Sequence, residues 1–387
     1  ATGIQGPIGA TGIQGPIGAT GVQGPSGPSF QYERIIWVDP NGNDTTAAAA
    51  SQGDMIAPFK TLAAALQYLI AGSKTGWTIE VQAGIYNETA LLVVEAKNSG
   101  VTIHLSGGVS ITNASNSGLK ILWEIQGDCS CTIIGDAPDG EYNQTQTTDG
   151  PLGGASIVTN GNQQTMFQFT GSATVQFVNI SNVALICPVN AAGSGEPMIV
   201  YNLASTQNQE RHMLNITNCY IRQDNSAAGN IVLGADTYYP KRIIIDIRDT
   251  WITTERTNAT CFDFNNVSSN SAVVALKLRD NVFYATNVGT VNSTTGFIES
   301  RAINGANFYW YWQGNTFYSG GIVAVGSNVR IYAWYDAGSS LTACRLTQTT
   351  HNIHNYHSYP SPPVQNMTPV VMYEQLKFTE PEWWNRS

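Results

Sequence analysis

Gln176–Ile186 reads QFVNISNVALI, and the same design returns four times: MLNITNCYIRQ (Met213–Gln223), IIIDIRDTWIT (Ile243–Thr253), ALKLRDNVFYA (Ala275–Ala285) and YWYWQGNTFYS (Tyr309–Ser319). Each segment is a run of alternating apolar residues, then Asn, Asp or Gly, then a second apolar run. Alternation is the signature of a strand with one buried face. Asn182, Asn218, Asp249, Asp280 and Gly314 at the bend suit a corner where the backbone enters the left-handed region. The apolar anchors Ile180, Ile216, Ile247, Leu278 and Trp312 follow one another at 36, 31, 31 and 34 residues. Val81, Leu105 and Ile125 recur earlier at 24 and 20. The short spacing is close to a minimal three-strand coil, and the longer ones leave one outward loop per coil. A rung repeated with insertions at fixed corners predicts a β-solenoid. A β-sandwich is the competing all-β reading, but the hairpin turns it needs every 8–12 residues are not in the sequence.

Upstream, Gly3, Gly6, Gly9, Gly12, Gly15, Gly18, Gly21, Gly24 and Gly27 stand at every third position. Only a hydrogen side chain fits where three polyproline-II-like chains meet on an axis, so the tract predicts a collagen triple helix and a homotrimer. Nine triplets at ~3 Å per residue make a rod of about 80 Å. GIQGPIGAT at Gly3–Thr11 is repeated residue for residue at Gly12–Thr20, and GVQGPSGPS follows at Gly21–Ser29. Proline occurs only directly after glycine, and no charge is present to set an interchain register. A flexible linker would not keep its glycines in phase or carry Ile and Val. The tract resembles the collagen-like regions of bacterial surface proteins, phage fibres and large DNA viruses, which lack prolyl hydroxylation. Such a triple helix is marginal alone, and the head beginning near Phe30 is the element expected to hold three chains in register.

Between stalk and rungs, Val38–Asp44 reads VDPNGND, Pro58–Leu66 reads PFKTLAAAL and Thr78–Thr89 reads TIEVQAGIYNET. Pro58 suits a first helical turn, Phe59, Leu62, Leu66 and Leu69 share a helical face, and Gly72 suits the helix end. An amphipathic helix laid over the first rung would cover the open end of a solenoid. These three motifs resemble the opening of pectin-lyase-like right-handed parallel β-helices. The resemblance implies an all-β head. The expected organisation is a stalk at 1–29, a connecting strand (Phe30–Asp39), loop and capping helix to residue 76, a parallel β-helix at 77–340, and a C-terminal cap at 341–387, where the rung pattern fades.

Charged residues make up only 12% of the chain and the net charge is −9, which argues against a nucleic-acid partner, since phosphates need a basic face. No run of 18 apolar residues is present, so no membrane insertion is expected. The cysteines at 129, 131, 187, 219, 261 and 344 lack metal-knuckle spacing, and burial as small hydrophobes is the plain expectation.

Three groups of residues are candidates for chemistry. Tyr309, Tyr311, Tyr332 and Tyr335 belong to an aromatic-rich region, and aromatic planes stack on sugar rings. Alternation places Phe308, Trp310 and Trp312 on the inward face and the two tyrosines of that strand outward. His351, His354 and His357 lie within HNIHNYH. A spacing of three alternates faces in a strand, so a metal would require one histidine from each chain at a trimer axis; a polar surface turn is the plainer reading, and no cofactor is otherwise expected. Asp246, Asp249, Glu255, Asp263 and Asp280 are the conspicuous acids, with Asp246 expected outward beside Lys277 in a surface ladder. The polygalacturonase-type signatures are missing, so catalysis is not the leading expectation. That expectation is a homotrimeric surface fibre or spike, extracellular on a virion, cell or spore, attaching to a host glycan or receptor. A polysaccharide-degrading tailspike and a purely structural fibre are the alternatives.

Overall fold

The structure, a computed structural model, describes residues 34–49, 53–113, 121–136, 154–159, 165–170, 175–187, 198–202, 211–223, 232–234, 242–254, 262–267, 273–285, 296–302, 307–319, 330–336, 343–346 and 351–355, with Gly3 and Gly6. Ala1–Glu33 and Arg34–Ser387 are separate units. The second unit is all-β apart from short helices near its start. Its described strands form three parallel sheets of ten, eight and nine strands. From Thr78 onward successive strands enter the three sheets in rotation, and each pairs with the strand three places along the chain. Each three-strand circuit therefore lies in register on the one before it.

The corners explain why the chain advances to the next sheet instead of folding back. Asn182, Asn218, Asp249, Asp280 and Gly314 have φ of 58°, 51°, 51°, 54° and 65°. Asn182 alone separates strand Val175–Ser181 from strand Val183–Cys187. One left-handed residue redirects the backbone there, whereas a hairpin needs two or more loop residues and antiparallel pairing. Corner N–H groups donate forward to the next circuit, Asn182 to the carbonyl of Thr217, Asn218 to Arg248 and Asp249 to Arg279, at 3.1–3.2 Å. Corner thus sits on corner.

Inside, like residues stack on like. One column runs Ile36, Ile79, Ile103, Ile133, Ile180, Ile216, Ile247, Leu278 and Trp312, each the register partner of the next. The seven isoleucines are buried to within 1%. A second sheet stacks aromatics: Trp123 on Phe167 at 5.9 Å between centroids, and Phe169 on Tyr201 at 4.6 Å. Ile125 belongs to this sheet, opposite Val94 and Phe169, which corrects its placement after Leu105; the residue one circuit beyond Ile103 is Ile133. Both sheets carry isoleucine in alternating runs, so composition could not separate them.

A polar ladder occupies the inward position directly after the corner. Asn315 Oδ1 accepts the N–H of Asn281 at 3.1 Å, and Asn281 Oδ1 accepts that of Thr250 at 3.1 Å. Thr250 Oγ1 accepts the N–H of Cys219 at 3.3 Å. Asn281 Nδ2 donates to the Ile247 carbonyl and Asn315 Nδ2 to that of Leu278, at 2.9 and 2.8 Å. These buried amides satisfy the backbone groups that the corner takes out of the sheet ladder. Cys129, Cys131, Cys187 and Cys219 are buried.

At the first circuit, helix α1 (Asp44–Ala49) and helix α2 (Leu62–Ala71) lie beside strand Ile35–Val38. Leu62, Ala65, Leu66, Leu69 and Ile70 are the buried face of α2. Pro58 precedes the helix rather than opening it, because Thr61 takes the N-cap and accepts the N–H of Ala64. Phe59 is buried ahead of the helix and bridges Val38. Asp44 accepts the N–H groups of Lys60 and Thr61, and buried Glu88 accepts those of Leu62 and Ala63 at 2.8 and 3.2 Å. Gly72 closes the helix as expected, its N–H donating to Tyr68. The connecting strand is described only as Ile35–Val38. At the far end the parallel pairing extends past residue 340, through Ala343–Leu346 and His351–Asn355.

Removing an inward rung of the ladder strands two buried backbone groups, whereas the exposed Asn179–Asn215 pair at 2.8 Å strands none. Asn281→Ala is therefore expected to lose about 2–5 kcal/mol of unfolding free energy and Asn179→Ala less than about 1 kcal/mol, measured by urea denaturation. Equal losses would contradict this reading of the corners.

Candidate functional site

The backbone register places the aromatic candidates. Trp310 and Trp312 are partners of Leu276 and Leu278 in the inward columns, and Tyr309 and Tyr311 are partners of Ala275 and Lys277. Tyr332 and Tyr335 lie on strand Arg330–Asp336, opposite Ile298 and Arg301. The four tyrosines thus belong to two different sheets and occupy no common column. His351 is the partner of Asn315, next in the column of Thr250, Asn281 and Asn315, while His354 is the partner of Tyr318. The two histidines stand on alternate faces of one strand; His357 lies outside the described residues. Glu255 does so as well.

Among the acids, Asp246 is the register partner of Lys277 as expected, and it also makes a diagonal ion pair. Arg279 Nη2 donates to Asp246 Oδ1 and Oδ2 at 2.9 and 2.7 Å, and the carboxylate is buried. This corrects the surface-ladder expectation: a longer guanidinium reaches both carboxylate oxygens from two residues along the next strand. Asp249 and Asp280 are corners. Asp263 has Glu299 as its register partner on the adjacent strand of the eight-stranded sheet, a juxtaposition absent from the sequence reading.

The clearest described cluster of titratable side chains is one the sequence reading passed over. His104 Nδ1 lies 2.6 Å from Glu80 Oε2 and Nε2 lies 3.0 Å from Asp136 Oδ1. Asp136 Oδ2 accepts the N–H of Gly107 at 3.0 Å. The signal was present, since the 24-residue step from Val81 to Leu105 also carries Glu80 onto His104. A neutral imidazole donates once, so only the imidazolium donates to both carboxylates. Partial burial pulls the imidazole down, but the hydrogen bonds and charges of Glu80 and Asp136 outweigh it and the net direction is up. The two carboxylates sit on opposite ring nitrogens and share no point at which a cation would be held. Among the described residues no three His, Cys, Asp or Glu side chains converge as a metal site.

A second histidine shows the opposite environment. His212 is buried in the interior with Nδ1 2.8 Å from Gln176 Oε1. Gln176 Nε2 donates to the carbonyls of Ile125, Gly127 and Thr170, so its oxygen is the acceptor and His212 carries its proton on Nδ1. Burial pushes His212 down to about 4, against a weaker upward pull from Asp128. It is a neutral packing residue.

Compared with known families, curated sequences and solved structures, the chain matches none. The fold and its described side chains define an all-β protein of stacked parallel strands, with no helix long and apolar enough to cross a membrane among the described residues.

His104 gives a signed pH test. Its pKa is raised on folding, so its stabilisation is complete below about pH 6.5 and is lost as pH rises through the folded value. The difference in thermal midpoint between the wild-type chain and His104→Asn is expected to be largest near pH 5 and to shrink by pH 9. A difference independent of pH would contradict the imidazolium bridge.

Proposed function

We propose that this chain is a homotrimeric surface fibre or spike, in which a collagen-like triple-helical stalk carries a right-handed parallel β-helical head for display and attachment. The single observation that carries the reading is the nine-glycine period set beside the surroundings of its described members. A Cβ built on Gly3 or Gly6 meets nothing within 4 Å. Among the described residues nothing demands glycine there, whereas the axis of three chains would. The rotation of strands through three parallel sheets, with corners at fixed places, supports the β-helical head.

A protein built this way does mechanical and adhesive work. Stacked circuits make a head stabilised by nearest-neighbour layers, and a stalk holds it away from the surface that bears it. An extracellular setting on a virion, cell or spore follows from the same parts, with a host glycan or receptor as partner. Tyr309 and Tyr311, the register partners of Ala275 and Lys277, are the proposed glycan contacts. Light scattering of the intact chain is expected to give about 125 kDa, three times the chain mass of 41.6 kDa. A mass near that of one chain would overturn the reading.

A second reading rests on Asp263 and Glu299. Asp263 and Glu299 are register partners on adjacent strands, whose backbones lie ~4.8 Å apart, and glycosidases work with a pair of neighbouring carboxyl groups. Like charges so placed disfavour the sheet, which gives them a use if the head cleaves polysaccharide. Under that reading the wild-type chain releases reducing ends from a surface polysaccharide, and Asp263→Asn and Glu299→Gln each abolish the release. Equal release by both variants would remove it.

A further inference from the structure

Among the described residues, the large apolar side chains left in water are Met55, Ile56 and Ile85, at 63, 93 and 68% exposure. All three belong to the first circuit and its cap, the end of the head that the glycine tract enters. Ile85 lies on the terminal strand of the nine-stranded sheet. Met55 and Ile56 stand on a turn that is held from several sides. Asp54 Oδ1 accepts the N–H groups of Ile56 and Ala57 at 3.0 and 2.9 Å. The Gly53 carbonyl accepts the Trp37 N–H at 2.6 Å, which ties the turn to the first strand. Gly53 has φ +49°, and a Cβ there would stand 2.5 Å from the Phe59 ring. No internal packing requires two apolar side chains on so constrained a turn, and a contact surface fixed in advance loses little entropy on association.

The chain length outside the described residues points to the occupant. Six residues separate Gly27 from Arg34, so the head begins at most about 25 Å from the last axial glycine. Each side of a circuit is a strand of some 3–7 residues, roughly 10–23 Å long. Three heads tethered that closely to one axis must crowd at their first circuits. We infer that the Asp54–Ala57 turn, together with the exposed Ile85 of the first circuit, is a self-association surface whose partner is the first circuit of a second copy of this chain. The inference rests on the three-chain stalk proposed above. It assigns to the head the interchain contact that the uncharged stalk does not supply.

The test uses the intact chain and the double variant Met55→Ser/Ile56→Ser, followed by sedimentation velocity over a dilution series. Both side chains are solvent-exposed, so the fold survives the change, and far-UV circular dichroism checks it. The expected result is a wild-type species of three chains and a variant whose dissociation concentration is at least threefold higher. A wild-type trimer with a smaller shift overturns this contact while leaving the stalk in place. A wild-type single chain at every concentration overturns the stalk and this contact together.

Discussion

Parallel register is the constraint on which the rest of the head depends. Because each strand pairs with the strand three places along, a residue type that suits one layer must suit the layers above and below it. The isoleucine column from Ile36 to Ile247 meets that demand with one shape repeated, so β-branched side chains nest without a change of rotamer. The corners meet it with one backbone conformation repeated, and the buried Asn281–Asn315 ladder meets it with one hydrogen-bonding pattern repeated. An error in one layer is felt mainly by its two neighbours, which is how a head of stacked circuits tolerates long insertions at fixed places.

Ends are where a stacked fold is vulnerable, since the terminal layer has no neighbour. At the first circuit the chain spends much of its polar chemistry on this problem. Glu88 is buried at the N-terminus of α2 and accepts two of its free N–H groups, and Asp44 accepts two more just ahead of it. Burial, the largest influence, pushes the Glu88 carboxyl up to about 7, against the two backbone donors that pull it down. His104 then joins the first circuit to the second and to Asp136. Both groups bind protons more readily in the folded state. Together they favour the capped end more in mildly acidic than in alkaline solution.

Much of this was legible because the fold is periodic. The left-handed corners were read from Asn182, Asn218, Asp249, Asp280 and Gly314, and all five have positive φ. The alternation that sets Trp310 and Trp312 in the columns of Leu276 and Leu278 was equally plain. Interactions that depend on side-chain reach were not. Asp246 was matched to Lys277 by spacing, and the register agrees, but its burial and its diagonal ion pair with Arg279 were not foreseen. The polar residues directly after the corners, Thr250, Asn281 and Asn315, carry no signal of their own in the sequence pattern, so the inward amide ladder and the place of His351 in its column were not legible. Ile125 was assigned one sheet too early because two sheets use the same alternating pattern. The glycan and metal candidates rested on side-chain type and on alternation within a strand, neither of which says which column of the stack a residue enters.

The glycine tract stands apart from these arguments, because its periodicity is read through the proposed three-chain stalk. A Cβ built on Gly6 meets nothing within 4 Å among the described residues. In a triple helix the same Cβ falls on the crowded axis. The intact chain carrying Gly6→Ala and Gly15→Ala, compared with the wild type by thermal melting of the multi-chain species, separates the two situations. The account predicts a clearly lower melting temperature for the variant's three-chain state with the head's own unfolding unchanged. Identical melting of the two chains would contradict it.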